Sequence, residues 1–400
     1  MKKILIVLSV VLCSAFAAGQ QPSDYLMKAK ALVSSGRNSE AVQILTERLA
    51  AEKDYRLFLG RAEAKEAGGD YSGAINDLNE ANKLIPGSGE YGLSRIYSLK
   101  GDAQTSLYHL EQNLSSSFRK GEKEILLDPA FSSIDNRAEW RNFWKKERYT
   151  DIEKKISEVE YCTSHNRTND AESILQELRS GYPDAIEVLY SEALIRLESG
   201  KPADAVKYAL QLTAAAPGNE KYLRLLARAQ EAGSNFAGAS DTWTRLLDSG
   251  IADARLLVSR AQCYRKTGEH GKALDDLNRY LELYPDDREA ISLAGKTEAV
   301  TGDNLKAIEL FSKNLKLHPG DPDCYIDRAN SYLAAKSWDY AINDYSMSLD
   351  IKPGNADVWL NKGVALLGKG QVNDACHDFR RALSLGNKRA SEYISRNCIR

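Results

Sequence analysis

A repeat of 34 residues constrains the fold of this 400-residue chain more than any other feature. Seven alanines follow one another at that interval: Ala171, Ala205, Ala239, Ala273, Ala307, Ala341 and Ala375. Twelve residues before each of them stands a second small or short side chain: Val159, Ala193, Ala227, Ala261, Gly295, Ala329 and Gly363. Twelve residues after each alanine the chain has Pro183, Pro217, Ile251, Pro285, Pro319, Pro353 or Asn387. A fixed period of this length indicates an array of like structural units rather than one large core.

Each unit has the pattern of two amphipathic helices. In the last unit, Trp359, Gly363 and Leu366 share one helical face, and Ala375 and Phe379 share a face of the following helix. The small residues allow the two backbones to approach, and the aromatic rings fill the space between successive layers. Helices this short are marginal alone in water, so their stability must come from stacking. Proline ends most second helices, and Asn or Asp in the next turn is suited to cap the following helix.

The pattern resembles the tetratricopeptide repeat (TPR), a pair of antiparallel helices in each unit. The resemblance implies an all-α superhelix, or α-solenoid, of about ten helix pairs. Ala41, Ala74 and Ser106 fit the alanine position more weakly and mark three repeats near the start. We assign the chain to five segments: a signal peptide (1–19), an N-terminal TPR array of three repeats (20–117), an irregular helical connector (118–150), a C-terminal array of seven repeats (151–386) and a capping helix (387–400). Trp140 and Trp144 belong to an aromatic stripe in the connector, which we expect to pack inside the protein.

The first residues, MKKILIVLSVVLCSAFAAGQ, have the parts of a secretory signal peptide. Two lysines precede an apolar run from Ile4 to about Leu12, and small residues surround Ala17 and Gly19. We expect cleavage near residues 17–19 and export to the periplasm or cell envelope, as in secreted TPR proteins of Gram-negative bacteria. Lipidation of Cys13 stays an open alternative. No other stretch has the roughly 20 apolar residues of a membrane span, so we expect no transmembrane segment in the mature chain.

The balance of charge limits the classes of partner. The chain has 54 basic and 56 acidic residues, and charged side chains make up 28% of it. This balance gives no reason to expect nucleic acid or an anionic membrane as a partner.

The TPR resemblance also implies where a ligand binds. In that family the first helix of each repeat lines a concave groove, and its positions 2, 5, 9 and 12 face the ligand. Counting back 18, 15, 11 and 8 residues from the alanines assigns those positions here. The implied groove includes Lys221, Arg224, Arg228, Arg255, Gln262, Arg265, Lys296 and Asn330. We expect its basic side chains to repel one another when the groove is empty and to attract an acidic segment, with apolar anchoring near Tyr190 and Leu360. The alternative is that they only solvate exposed helices.

Three short motifs do not require a ligand. GSGEYG at 87–92 matches a dinucleotide fingerprint, but it follows Pro86 in a turn between helices. AISLAGKT at 290–297 resembles a phosphate-binding loop but lacks its first glycine and a preceding strand. Cys162 and His165 have the spacing of metal ligands, but a second pair is lacking. We therefore expect no cofactor, no metal and no catalytic residue.

The cysteines predict one disulfide. Cleavage of the signal peptide leaves five cysteines, an odd number that implies at least one free thiol or an intermolecular bond. Cys376 and Cys398 lie about equally far from the turn near Gly386, which brings them level in an antiparallel helix pair. We predict a disulfide between them. His377 points about 100° away from Cys376 on the same helix and forms no site with it.

These observations lead to one hypothesis and one alternative. The chain is predicted to be a non-enzymatic scaffold that binds a protein or peptide in its concave groove, in the bacterial envelope. The alternative is a binder of an anionic envelope polymer or glycan that uses the same basic residues. The partner's identity and the oligomeric state are left open by the sequence.

Overall fold

A computed structural model describes residues 21–398. The predicted signal peptide, with Cys13, lies outside the described residues, as do the last two residues of the predicted capping segment. The described part of the chain is all-α, which confirms the predicted fold class. Its α-helices are α1 Pro22–Ser34, α2 Asn38–Ala51, α3 Tyr55–Ala67, α4 Tyr71–Leu84, α5 Glu90–Leu99, α6 Ala103–Leu114, α7 Glu122–Leu126, α8 Ala138–Phe143, α9 Asp151–Ser164, α10 Thr168–Gly181, α11 Ile186–Glu198, α12 Pro202–Ala215, α13 Glu220–Ala232, α14 Phe236–Asp248, α15 Arg255–Thr267, α16 His270–Leu283, α17 Arg288–Thr301, α18 Asn304–Leu317, α19 Pro322–Ala334, α20 Trp338–Ile351, α21 Ala356–Gly368, α22 Val372–Ser384 and α23 Ala390–Asn397.

The helices pack as consecutive pairs, α1 to α6 before the connector and α9 to α22 after it. The first helices of successive pairs also contact one another. Examples are α1 with α3, α9 with α11 and α17 with α19. We call these first helices inner and the second helices outer. The inner helices pack against one another. Residues on the side of each inner helix that points away from its outer partner therefore form one continuous face in each part of the array.

Small residues lie where inner and outer helices meet. All seven alanines of the 34-residue period are fully buried. Gly295 and Gly363 lie so close to outer-helix rings that an added Cβ would come within 2.5 Å of Phe311 and 2.6 Å of Phe379, respectively. The sequence interpretation of these small residues as packing positions is therefore confirmed.

The expected helix caps are also present. Side-chain oxygens of inter-repeat Asn and Asp residues accept hydrogen bonds from backbone amides in the first turn of the next inner helix, which satisfies donors that a helix start leaves free. The residues are Asn219, Asp287, Asp321 and Asn355.

A buried ion pair recurs between inner and outer helices and was not anticipated from the sequence. An arginine or lysine 13 residues before the period position pairs with an aspartate three residues after it. The pairs are Arg61–Asp77, Arg260–Asp276, Arg328–Asp344 and Lys362–Asp378, at 2.6, 2.7, 2.7 and 3.4 Å. The aspartates are nearly inaccessible to solvent, so loss of a cation would leave a buried carboxylate without its ion-pair partner.

The connector is short and irregular. It contains α7, a 3₁₀-helix over Pro129–Ser133, and α8. Trp140 and Phe143 are buried in an apolar cluster with Leu110 of α6, and the partly buried Trp144 packs against this cluster. The aromatic stripe thus packs inside the protein, as expected.

A disulfide joins the last outer helix to the final helix. The Sγ atoms of Cys376 in α22 and Cys398, directly after α23, are bonded, with 5.6 Å between their Cα atoms. This is the pair that the sequence predicts. Among the described residues the other cysteines, Cys162, Cys263 and Cys324, are free thiols and are buried.

The chain divides into two compact units, Met1–Ala254 and Arg255–Arg400. The division falls within the second array of helix pairs, and each unit is described separately below. The segment boundaries assigned from the sequence stay a prediction. No helix among residues 21–398 combines the length and apolar character that crossing a membrane requires.

Candidate functional site

In the first unit, each of the three basic side chains of α13 that the sequence assigns to the groove already has an acidic partner. Lys221 pairs with Glu160 at 2.5 Å, and Arg228 pairs with Glu198 at 2.8 Å. Arg224 contacts Glu220 and Asp253, both at 2.8 Å. Burial opposes the charge of Arg224, yet hydrogen bonds from these two carboxylates raise the pKa of its guanidinium.

This pairing corrects one expectation. For the three basic residues of α13 the predicted mutual repulsion is wrong, because carboxylates of neighbouring segments pair with them. A ligand carboxylate must therefore compete with an internal one, so the net gain from a charge contact here is smaller than for a bare cation.

Tyrosines form a cleft beside Lys221. The ammonium group of Lys221 lies 4.1 Å from the centre of the Tyr190 ring, and the Tyr190 hydroxyl donates to Glu160 at 2.9 Å. Burial, and secondarily the Glu160 carboxylate, raises the pKa of Tyr190. Lys221 and Tyr190, together with Tyr222 and with Tyr149 of the connector, line a cleft of about 310 Å³. The predicted apolar anchor at Tyr190 is thus a polar, hydrogen-bonded aromatic group.

In the second unit, the three residues of α15 that were predicted to line the groove make different polar contacts. Arg255 contacts Asp287 at 2.9 Å and Glu289 at 3.6 Å, and the Gln262 amide donates to Glu289 at 3.3 Å. Arg265 is half-buried, and its Nε has no hydrogen-bond partner among the described residues. Burial lowers the pKa of its guanidinium. Arg265 therefore has a buried donor without a hydrogen-bond partner among the described residues.

A mixed polar and apolar cleft lies between α17 and α19. Asp327 accepts a hydrogen bond from Ser292 at 2.9 Å and pairs with Lys296 at 3.0 Å. Leu293 and Ile326 supply apolar walls, and the cleft measures about 340 Å³. It combines hydrogen-bonding groups with apolar surface on the inner face, which suits a peptide side chain and its backbone.

Asn330, the next predicted position along α19, is exposed, and its Oδ1 accepts hydrogen bonds from Tyr345 at 2.7 Å and from Asn361 at 3.3 Å. Its amide group is oriented by two neighbouring helices. Lys296 on α17 and Asn330 on α19 thus lie on neighbouring inner helices of the second unit.

Sequence reasoning overlooked the inner face of the first three repeats. Counting back from Ala41 and Ala74 in the same way assigns Lys30 and Arg56 to ligand-facing positions. An apolar cleft of about 430 Å³ lies here, lined by Leu26, Ala29, Lys30, Val33, Ser34, Gly60, Glu63, Glu66, Ala67, Arg95 and Leu99. Burial raises the pKa of Glu66, which Arg95 contacts at 3.2 Å. The repeat count alone was sufficient to find this surface.

The remaining motifs are structural. Gly87 to Gly92 spans a turn and the start of α5, and no strand precedes it within the described residues. Cys162 is buried, and His165 Nδ1 contacts the Tyr161 carbonyl oxygen at 2.8 Å. Among residues 21–398 no cluster of three His, Cys, Asp or Glu side chains is arranged to hold a metal ion.

Sequence models of a single repeat family match the chain. They are described as tetratricopeptide repeat, and they match residues 26–88, 164–220, 224–288 and 356–387, which together make up more than half of the chain. The chain belongs to the tetratricopeptide repeat family. The TPR units therefore account for the paired helices. Comparison with curated proteins gives no match.

Several solved TPR structures are similar to this chain. The C-terminal part of a TPR repeat-containing protein from Cytophaga hutchinsonii aligns over 59% of this chain and 98% of its own, with 15% identity and a TM-score of 0.50. A TPR protein from Parabacteroides merdae covers 62% of this chain and 99% of its own, with 19% identity and a TM-score of 0.49. YrrB, described as a TPR protein with an unusual peptide-binding site, covers 48% of this chain and 100% of its own, with 13% identity and a TM-score of 0.40.

Proposed function

We propose that this TPR protein is a non-enzymatic scaffold of the bacterial envelope that holds a protein or peptide segment on its inner helices. The observation that carries the proposal is the cleft between α17 and α19, where hydrogen-bonding groups and apolar walls face the same space on an inner surface. TPR membership supports the same class of function, since repeats of this kind present extended concave binding surfaces.

The cleft defines the chemistry of the segment. Ile326 and Leu293 suit an aliphatic side chain, and Lys296 is available to a carboxylate that replaces Asp327. A segment with an acidic residue beside an apolar one therefore fits this surface best, with the charge contact guiding encounter and the apolar contact holding the complex.

An anionic polymer or glycan is the second candidate, and the ion pairs weaken the case for it. A polymer with many charges needs a continuous row of available cations, whereas Lys221, Arg224 and Arg228 are each paired with a carboxylate. A protein segment needs complementary charge and apolar contacts only at a few neighbouring residues.

Export to the envelope rests on two supports. The N-terminal residues have the composition of a secretory signal peptide. The bond between Cys376 and Cys398 fits an oxidising compartment, because such bonds are rare in reducing cytosol. Cell fractionation and mass spectrometry of the mature N-terminus test this. A cytosolic chain that retains residues 1–19 contradicts it.

The binding test uses two matched lysines. Proteins crosslinked to the chain in native envelopes are identified, and the purified partner is titrated against wild type, Lys296→Ala and Lys316→Ala by calorimetry. Lys296 lies in the cleft of the inner helix α17, whereas Lys316 is exposed on the outer helix α18. We expect Lys296→Ala to weaken binding about tenfold, or about 1.4 kcal/mol, and Lys316→Ala to leave it unchanged. Equal affinities for all three proteins would refute the assignment of the binding surface.

A further inference from the structure

The turn at residues 249–254 differs from the other inter-repeat turns. Five of the seven repeats have proline at the corresponding position, whereas this turn has Ile251 after Gly250, whose φ is +81°. The turn lies within the first unit, between α14 and the end of that unit. It contacts the first repeats, and one of these contacts, between Lys30 and Ala252, spans 222 residues of sequence.

Three contacts hold this turn against the first repeats. The Lys30 ammonium group donates to the carbonyl oxygen of Ala252 at 3.2 Å. The Ala252 side chain packs against the apolar cluster of α1 to α4. Gly250 lies so near Arg56 that a Cβ there would be 2.5 Å from Nη1. The turn therefore presents a carbonyl oxygen, a small side chain and a glycine to one surface of the first repeats.

The surface that receives the turn is the ligand-facing one. Lys30 and Arg56 hold positions 9 and 2 of the first two repeats by the count used above. On its other side the turn is anchored through Asp253, which pairs with Arg224 at 2.8 Å. Arg224, assigned from the sequence to bind a partner's carboxylate, thus binds a carboxylate of this chain.

The turn covers only one end of the available surface. Lys30, which holds Ala252, also lines the open apolar cleft of about 430 Å³ that continues to Leu99. A longer extended segment has room in that cleft and would need the same Lys30 donor where it meets the turn.

We propose that the inner face of the first repeats is a second peptide-binding site, selective for extended segments of small and aliphatic side chains, and that residues 249–254 act as a built-in ligand that an external segment must displace. The proposal rests on the proposed function, because it takes the inner helices as binding surfaces. It adds the ligand class and its regulation by the chain itself.

The experiment uses a fluorescent synthetic peptide of residues 248–254 and the full mature chain, with binding followed by anisotropy. Gly250→Val places a side chain against Arg56 at a φ that valine rarely adopts, so it releases the turn. Apparent affinity falls with the fraction of open sites, so release is expected to tighten binding about tenfold or more. Adding Lys30→Ala to Gly250→Val is expected to remove that gain.

The control is Gly268→Val. Gly268 has a similar φ of +83°, but a Cβ there meets nothing within 4 Å, so it carries the same backbone strain without releasing the turn. If Gly250→Val loses helicity by circular dichroism, Asp253→Asn replaces it, since it weakens the contact with Arg224. Peptide affinity that is equal in wild type and the released variant, a gain that survives Lys30→Ala, or no binding to any variant overturns the proposal. The outcome is independent of the Lys296 test, which concerns the second unit and another ligand.

Discussion

Replacing Gly295 by alanine tests whether this glycine is required for packing or is free to serve a phosphate-binding loop. A Cβ at this position would lie 2.5 Å from Cε1 and 2.7 Å from Cζ of Phe311, whereas ordinary contacts are 3.4–4 Å. Phe311 is 1% exposed, so its ring is enclosed by other atoms. The ring or the two helix backbones must therefore shift.

The expected cost follows from two opposing effects. Overpacking a tight core costs about 1–3 kcal/mol, while alanine in place of glycine in a helix returns about 1 kcal/mol. Gly295→Ala should therefore lower the free energy of unfolding by about 1 kcal/mol. A compatible pair of residues exists one repeat earlier, where Ala261 and Leu277 occupy the corresponding positions and both are fully buried. Gly295→Ala combined with Phe311→Leu should be more stable than the sum of the single changes predicts.

Urea unfolding followed by circular dichroism measures these changes, with hydrogen exchange in α17 and α18 reporting the local effect. Gly271→Ala is the matched control, because Gly271 is helical and a Cβ there meets nothing within 4 Å. It should leave stability unchanged or raise it. If Gly295→Ala is as stable as wild type, or if the two changes simply add, the packing explanation of Gly295 is refuted.

Two further predictions concern the cap and the buried pairs. Denatured, unreduced mature chain should show three reactive thiols, and five after reduction, because Cys376 and Cys398 are joined; five before reduction would exclude the bond. Arg328→Met leaves the carboxylate of Asp344 buried without its cation and should cost about 3–5 kcal/mol in urea unfolding, most of it recovered by adding Asp344→Leu. Stability unchanged by Arg328→Met would show that the pair contributes nothing.

The sequence predicted the fold well because each repeat makes the same local contacts. The alanines of the period and the glycines opposite aromatic rings are fixed by helix-to-helix distance within a unit, so spacing alone identifies them. The pairing of Cys376 with Cys398 was accessible for a similar reason, since both flank one turn. The recurrent ion pair between inner and outer helices, of which Arg328 and Asp344 are one example, also has a constant separation of 16 residues. It could have been predicted from the sequence in the same way.

The candidate site was less predictable because its contacts join different repeats. Which carboxylate neutralises Arg228 depends on how α13 packs against α11, and no period specifies that Glu198 is the partner. The contact between Lys30 and Ala252 spans 222 residues and depends on the arrangement of the whole first unit. Counting assigned positions on the inner face from the repeat alone, while the ion-pair partners of those residues required the structure.

Site-specific photocrosslinking tests the central claim, that partners bind the inner face, most directly. A photoreactive phenylalanine analogue is placed in the intact chain at Asn330 on the inner helix α19 or at Lys316 on the outer helix α18, both exposed, and cells are irradiated before the envelope is analysed. The account predicts a discrete adduct of one partner from position 330 and none from position 316. Adducts from position 316 with none from position 330 would contradict it.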